Sequence, residues 1–388
     1  MKILIITHHE NSLGYSMMRY TTILMDGLIN RGHNVEIWGP KLYFSKNTPP
    51  AGLNKWFRYL DQYVLFPIVF KRKSKALPKE TLYVLIDQAL GMWMPLIKHK
   101  KHVVHCHDFI ALKSAFGTIK ENPTGWSGKL YQRLILKGLS QANSFISVSK
   151  NTQAELLQYL PESLRVNEQV YNALDPVFKP GHPLEARKEI GKYLNHEVAN
   201  GYILHVGGNT FYKNRVGVLQ IYIAWRNMSK MSLPLIMIGS QPTAEMRRIQ
   251  EASSFKSDMH FIVGLENRLL VRAYQGASVL VFPSLTEGFG FPIAEAMATG
   301  CLVITTDEAP MNEVGGFAAI YIKRCPGDQR KTWAQQAAEV LDQTLRLTEK
   351  ERKVLVDKCL INANRFREDI IVDSIEKIYK EIVYNKVD

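Results

Sequence analysis

The sequence predicts an α/β protein built as two doubly wound, Rossmann-like halves, and three observations carry that expectation. Short apolar strands alternate with helical patterns along the chain, the pattern of parallel sheets covered by helices. At 388 residues the chain is too long for one ordinary core. A proline-rich stretch, 172–183, divides the strands into two series.

In the first series the strands are expected at 2–7, 34–38, 81–86, 102–107 and 144–149, with Gly32 closing the first helix. In the second they are expected at 202–207, 233–239, 260–264, 278–283, 302–306 and 318–322. From about Gln329 the pattern is helical, and the last helix, near 370–384, has no strand after it. The domains are therefore set at 1–178 and 179–368, with 369–388 as a separate terminal helix. In open parallel sheets ligands bind beyond the carboxyl ends of the strands, so residues just after each strand are the functional candidates.

The net charge of +13 calls for an anionic partner: a nucleotide diphosphate, anionic lipid head groups or nucleic acid. Nucleic acid is set aside, because no basic repeat, zinc spacing or single-strand-binding signature occurs. Cys106, Cys301, Cys325 and Cys359 are scattered, which fits a reducing compartment and neither a disulfide framework nor a zinc site. The opening residues read as a strand and not as a signal peptide, and no run reaches the roughly 18 apolar residues a membrane span needs. A soluble or peripheral protein is expected.

The most informative stretch is Glu287-Gly-Phe-Gly-Phe-Pro-Ile-Ala-Glu295, which directly follows a predicted strand. Pro292 suits a first helical turn, where its missing N–H costs nothing, and Gly300 suits the helix end. Gly288 and Gly290 let backbone approach a ligand, and the helix start behind them turns free N–H groups toward it. A diphosphate fits there, and carboxylates beside it can accept from hydroxyls. Phosphate plus polyol is a nucleotide sugar. After the strand at 202–207, Lys213 and Arg215 are placed to neutralise a leaving diphosphate. In His105-Cys106-His107-Asp108 the two histidines share one strand face, and His107 lies at the carboxyl end. No third ligand of suitable spacing accompanies them, so a zinc site is not expected. The loop 11–16, with Gly14, follows the first strand and can present N–H groups, although one glycine is no dinucleotide fingerprint.

With these residues assembled, the chain resembles the family 4 retaining glycosyltransferases over nearly its whole length. The resemblance implies the GT-B fold, two Rossmann-like domains facing across a cleft, with the terminal helix crossing back onto the first. Its most specific element is the E-x7-E motif, Glu287 and Glu295 with GFGFP between them. By resemblance, Glu287 faces the donor sugar and Glu295 holds the ribose. Gly288, Phe289, Gly290 and Phe291 line sugar and phosphates. His107 sits beside the reacting carbon, Lys213 binds the diphosphate, Gly14 is the first-loop glycine, and Val263-Gly264 meets the base through backbone. Such enzymes usually carry an arginine where this chain has Gly208, and Arg215 is the candidate to supply that charge.

The implied function is transfer of a sugar from a UDP- or GDP-sugar to a glycan or lipid-linked acceptor, with retention and no metal cofactor. No Asp-x-Asp pair is present to anchor one. The first domain would take the acceptor and the second the donor. Two other readings stay open: a different GT-B enzyme, such as a nucleotide-sugar epimerase or a phosphorylase, and a non-catalytic sugar-nucleotide-binding subunit. Residues 55–73 set aromatics between cationic ends, with Trp56, Tyr59 or Leu60, Tyr63, Phe66 and Phe70 near helical spacing and Pro67 expected to kink or end the helix. That segment is either a core face or an anionic-membrane surface, the latter placing a cytoplasmic protein at the inner face of the membrane.

Overall fold

A computed structural model describes residues 1–9, 15–44, 54–160 and 164–384. The chain separates into two compact units, Met1–Ala173 together with the final helix, and Leu174–Arg367. Residues 174–178, expected with the first domain, pack on the second unit. Leu174 donates its amide to the Phe366 carbonyl at 2.8 Å, and the Phe178 ring meets Tyr274.

Unit 1 runs β1 (Lys2–Ile6), α1 (Tyr15–Asn30), β2 (Asn34–Trp38), α2 (Asn54–Leu60), α3 (Phe66–Ser74), β3 (Leu82–Leu85), α4 (Met94–Ile97), β4 (His102–Cys106), α5 (Ile110–Ala115), α6 (Trp126–Leu139), β5 (Ser144–Ser147), α7 (Lys150–Tyr159) and β6 (Val166–Gln169). Its parallel sheet has the order β2-β1-β3-β4-β5-β6. Ile3, Leu4, Ile5 and Ile6 of the inner strand β1 are buried, as a strand covered on both faces requires. The strand β6 was not expected from the sequence. It lies at the sheet edge, and Val-Asn-Glu-Gln carries neither an apolar run nor clean alternation.

Unit 2 runs α8 (Pro183–Leu194), β7 (Ile203–Gly207), α9 (Arg215–Met228), β8 (Leu235–Gly239), α10 (Ala244–Glu251), β9 (Met259–Ile262), α11 (Asn267–Gly276), β10 (Val279–Phe282), α12 (Phe291–Ala298), β11 (Val303–Thr306), α13 (Met311–Gly315), β12 (Ile320–Ile322), α14 (Arg330–Leu345) and α15 (Glu349–Ala363). Its parallel sheet is ordered β12-β11-β10-β7-β8-β9.

The last helix, α16 (Glu368–Tyr384), returns to unit 1. It buries Ile371, Val372, Ile375, Ile378 and Tyr379 there. An added Cβ on Gly27 of α1 would come within 2.8 Å of Val372, so the glycine sets how closely the two helices approach. Beneath that contact the imidazole of His105 is held by the hydroxyls of Tyr20 and Tyr379.

Pro67 does not end its helix. It sits in the first turn of α3, directly after a π-helical turn, Asp61–Leu65, and helical backbone continues from α2 through α3. The wider turn shifts the hydrogen-bond ladder where a proline ring and missing N–H would otherwise intrude. The aromatic stripe also divides. Phe66 and Phe70 turn into the unit 1 core against Trp93, Trp38 and Tyr83, whereas Trp56 is 65% exposed.

Candidate functional site

In each sheet the strand order reverses at one place, and the loops leaving the strands on either side of it form a crevice suited to ligands. In unit 2 that place lies between β7 and β10. From β7 the chain passes Gly207 and Gly208 to a single 3₁₀ turn, Phe211–Lys213, and reaches α9 through Asn214. Asn214 adopts a left-handed conformation (φ 48°), and its amide does two jobs. Oδ1 accepts from the Gly217 amide at 3.2 Å and caps α9, while Nδ2 donates to the Pro283 carbonyl after β10 at 3.1 Å. Leu285 adds a 2.7 Å backbone bond to Tyr212. The two loops are thereby bolted together.

Across that bolt Lys213 Nζ lies 2.8 and 3.0 Å from the two carboxylate oxygens of Glu287. Ser284 donates to Glu287 Oε1 at 2.8 Å, and the ammonium stands over the rings of Tyr212 and Phe282. The family resemblance assigned the lysine to the diphosphate and the glutamate to the sugar. The structure brings them together as a largely buried ion pair, so each now serves as the other's counter-ion.

Arg215 opens α9 but is not an exposed surface cation: the residue is 4% exposed. One Nη donates to the Ser240 carbonyl at 2.9 Å and to Asn209 Oδ1, joining the loops after β7 and β8. Nε and the other Nη are buried without a hydrogen-bond partner, and burial draws the guanidinium below its usual range. Unsatisfied buried guanidinium donors are costly, and an anion is the ligand that would satisfy them. Below them His205 donates from Nδ1 to the Val281 carbonyl at 2.9 Å, leaving Nε2 as a buried acceptor without a partner. Burial pushes the His205 pKa down to about 3. Paired residues Gly207 and Gly239 end β7 and β8, and a Cβ on Gly239 would stand 2.0 Å from the Gly207 carbonyl oxygen.

Glu295 lies in α12, whose cap Gly290 has φ 101° and whose first turn holds Pro292. Gly300, at φ 82°, follows the helix. The glutamate is 3% exposed and accepts from the Tyr274 hydroxyl at 2.8 Å. Phe289 turns its ring inward between Phe291 and Phe366, so this residue contributes backbone to the loop while its ring packs the unit. Gly288 and Gly290 flank it. Val263 and Gly264 form the turn after β9, Val263 exposed and Gly264 at φ 68°.

In unit 1 the reversal lies between β1 and β3, and Asp87, just past β3, meets His8, just past β1, at 3.1 Å. Asp87 also caps the next turn by accepting from the Ala89 amide at 2.8 Å. Burial pushes the Asp87 pKa up, but the bond and charge of His8 and the nearby His107 outweigh it, and the net direction is down. His107 follows β4. Its Nε2 is 2.9 Å from the Ile86 carbonyl, which puts the ring proton there and makes Nδ1 the acceptor. Burial lowers the His107 pKa, and Asp87 offsets this only in part. Gln88 fixes the segment by accepting from the His107 amide at 2.8 Å and donating to the Asp108 carbonyl at 2.6 Å. Gly14 lies outside the described residues.

Sequence reasoning missed His8, Asp87, Gln88, His205, Tyr274 and Ser284. Asp87 and His8 were open to the strand-end rule, since each directly follows a predicted strand. Tyr274 and His205 left no such signal, because they approach from within a helix and a strand. Among the described residues no group of three or more His, Cys, Asp or Glu side chains is placed to hold a metal ion.

The profile of the family described as "Glycosyl transferases group 1" matches residues 200–343, within unit 2. Over 97% of its length the chain is similar to the crystal structure of Anabaena HepE in complex with UDP, covering 99% of that chain at a TM-score of 0.70 and 14% identity. It is similar to sucrose-phosphate synthase from Thermosynechococcus elongatus over 99% of this chain and 100% of that one, at a TM-score of 0.73 and 18% identity. The fold is GT-B. Among curated proteins, the O-antigen chain mannosyltransferase B of Escherichia coli is 26% identical over 194 residues, covering 49% of this chain and 50% of its own. The O-antigen chain mannosyltransferase RfbU of Salmonella typhimurium is 24% identical over 224 residues, covering 57% of each. The matches thus span about half the length of these curated relatives.

Proposed function

We propose that the protein is a family 4, anomer-retaining glycosyltransferase that uses a UDP- or GDP-sugar, with unit 2 taking the donor and unit 1 the acceptor. The observation that carries this reading is the Lys213–Glu287 pair beside the unsatisfied donors of Arg215, all at the strand-order reversal of unit 2. Support also comes from the match to glycosyl transferases group 1 over the same residues.

When the donor enters, its diphosphate takes Lys213 and the spare guanidinium donors, and Glu287 is released toward the sugar. Glu295 accepts from the ribose, the turn at Val263-Gly264 meets the base, and Gly14 and His107 act from unit 1. The bond from sugar C1 to the phosphate oxygen breaks while the acceptor oxygen bonds to C1 from the same face. The acceptor proton passes to the departing phosphate oxygen, so no separate strong base is required. Positive charge on the sugar and negative charge on the diphosphate grow together, and the lysine, the arginine and the α12 N-terminus answer the negative side.

The acceptor is proposed to be a glycan or lipid-linked glycan at the inner face of the membrane, which the O-antigen chain relatives support by their names. Thermal shift against UDP, GDP and their sugars, followed by transfer assays with the stabilising donor and NMR of the product anomer, tests the reading. Transfer with an inverted anomer would overturn retention. Epimerisation of the donor without transfer, or donor binding with no turnover on any acceptor, would favour the rival readings. Because Lys213 and Arg215 supply the positive charge, transfer is expected to survive EDTA. Loss with EDTA and recovery with Mg²⁺ would contradict that role.

A further inference from the structure

Two helices of unit 1 carry rows of large apolar side chains on their solvent side. In the continuous helix through α2 and α3 the row is Trp56, Leu60, Val64 and Ile68, at 65, 43, 51 and 62% exposure. In α6 it is Trp126, Leu130 and Leu134, at 79, 49 and 42%. Each row has a spacing of four residues, which keeps it on one helical face. The helices touch: the hydroxyls of Tyr63 and Tyr131 are 2.6 Å apart and their rings meet edge to face. Val64 adjoins Tyr63, and Leu130 adjoins Tyr131, so the rows run beside a shared seam.

The charges around these rows have one sign. In α6 the exposed residues Lys129, Arg133 and Lys137 trail the apolar row by three residues, about 60° around the helix, and the helix has no carboxylate. Between Asn54 and Lys75 there are six lysines and arginines and one acid, Asp61. Asp61 is buried and accepts from the Phe44 amide, so it does not reach the surface. A row of Trp and Leu flanked by Lys129, Arg133 and Lys137, on a helix without a carboxylate, matches the boundary of an anionic bilayer, with rings and aliphatic chains at acyl depth and cations among head groups. A protein partner of matching chemistry would need an apolar strip bordered by carboxylates.

We propose that α6 and the helix through α2 and α3 form one two-helix platform that docks unit 1 onto an anionic phospholipid surface. The platform needs no donor, so it is independent of the catalytic reading. It differs from the aromatic stripe expected from the sequence, whose Phe66 and Phe70 are core residues.

Flotation of the full chain with vesicles of neutral lipid, with and without added phosphatidylglycerol, tests the platform. The expected result is binding that needs the anionic lipid and weakens with salt. Trp126→Ser with Leu130→Ser and Leu134→Ser changes exposed residues only, and should cut binding at least about tenfold without moving the unfolding temperature. Lys129→Ser with Arg133→Ser and Lys137→Ser should cut it on the order of a hundredfold. Binding by the α6 variants equal to that of the unaltered chain would remove α6 from the platform. No flotation with any vesicle, or a dimer in sedimentation that Trp126→Ser dissolves, would overturn the proposal. UDP titration of the same samples reads the donor site separately, so either idea can fail without the other.

Discussion

Lys213 is already paired before a ligand arrives, and the consequence belongs to single residues. Replacing Glu287 by Gln leaves the lysine charge without its counter-ion but keeps an acceptor for Ser284. Turnover is expected to fall ~10²–10³-fold. The nucleoside diphosphate should bind tighter, since the buried pair with the lysine no longer has to be broken. Calorimetric titration of UDP and GDP beside initial rates checks both. Unchanged turnover would remove Glu287 from the chemistry, and weaker diphosphate binding would show that the pair is not in competition with it. Lys213→Ala and Arg215→Ala should each weaken the diphosphate about tenfold or more, because charge-assisted bonds to phosphate are lost. For Arg215→Lys partial recovery is expected, since an ammonium cannot reproduce the fork that reaches Ser240 and a second oxygen.

Among the elements, two glycines of unit 2 make different demands. Gly290 caps α12 at φ 101° with no backbone atom crowding its missing side chain, so Gly290→Ala should cost about 1–2 kcal/mol from the left-handed conformation alone. Gly239 combines φ 147° with a Gly207 carbonyl 2.0 Å from any Cβ. Gly239→Ala must therefore part the ends of β7 and β8 and should cost about 3 kcal/mol or more. Urea unfolding of the two variants ranks them, and equal losses would mean that backbone conformation, not the close approach of the strands, is the constraint at Gly239. The same glycine pair lets the loops beyond β7 and β8 converge on Arg215, so the fold demand and the proposed ligand site share one cause.

For the whole molecule, acid sensitivity follows from two buried histidines. His105, between Tyr20 and Tyr379, and His205, under the unit 2 crevice, both have pKa values pushed down to about 3 by burial, from an ordinary 6.5. Above about pH 6.5 both states leave them neutral and their contribution is fully present. Between there and about pH 3 only the unfolded chain takes up these protons, so stability falls as pH falls, by about 1.4 kcal/mol per pH unit for each histidine. Denaturant unfolding from pH 7 to pH 4 should show the decline, and His105→Gln should remove one proton's worth of slope from the unit 1 transition. An unchanged slope would mean that His105 is not held neutral by the contact with α16.

Both series of strands, except the edge strand β6, were legible in the order of residues, and so was the strand–loop–helix frame around Glu287 and Glu295. Those features are local: apolar runs, a proline in a first turn, and glycines where φ is positive act within a few residues of themselves. The strand-end rule also brought Lys213, Arg215 and His107 to notice from their order in the chain. Which groups then meet was left to the tertiary structure. The pairing of Lys213 with Glu287 depends on β10 returning beside β7, and that of His8 with Asp87 on β3 returning beside β1. Burial of Arg215 depends on the loop after β8, and the turn of Phe66 and Phe70 away from Trp56 depends on where the core lies. Periodicity places a side chain on a face of its own element. Only the packing of elements distant in sequence decides whether that face meets core, solvent or an opposite charge.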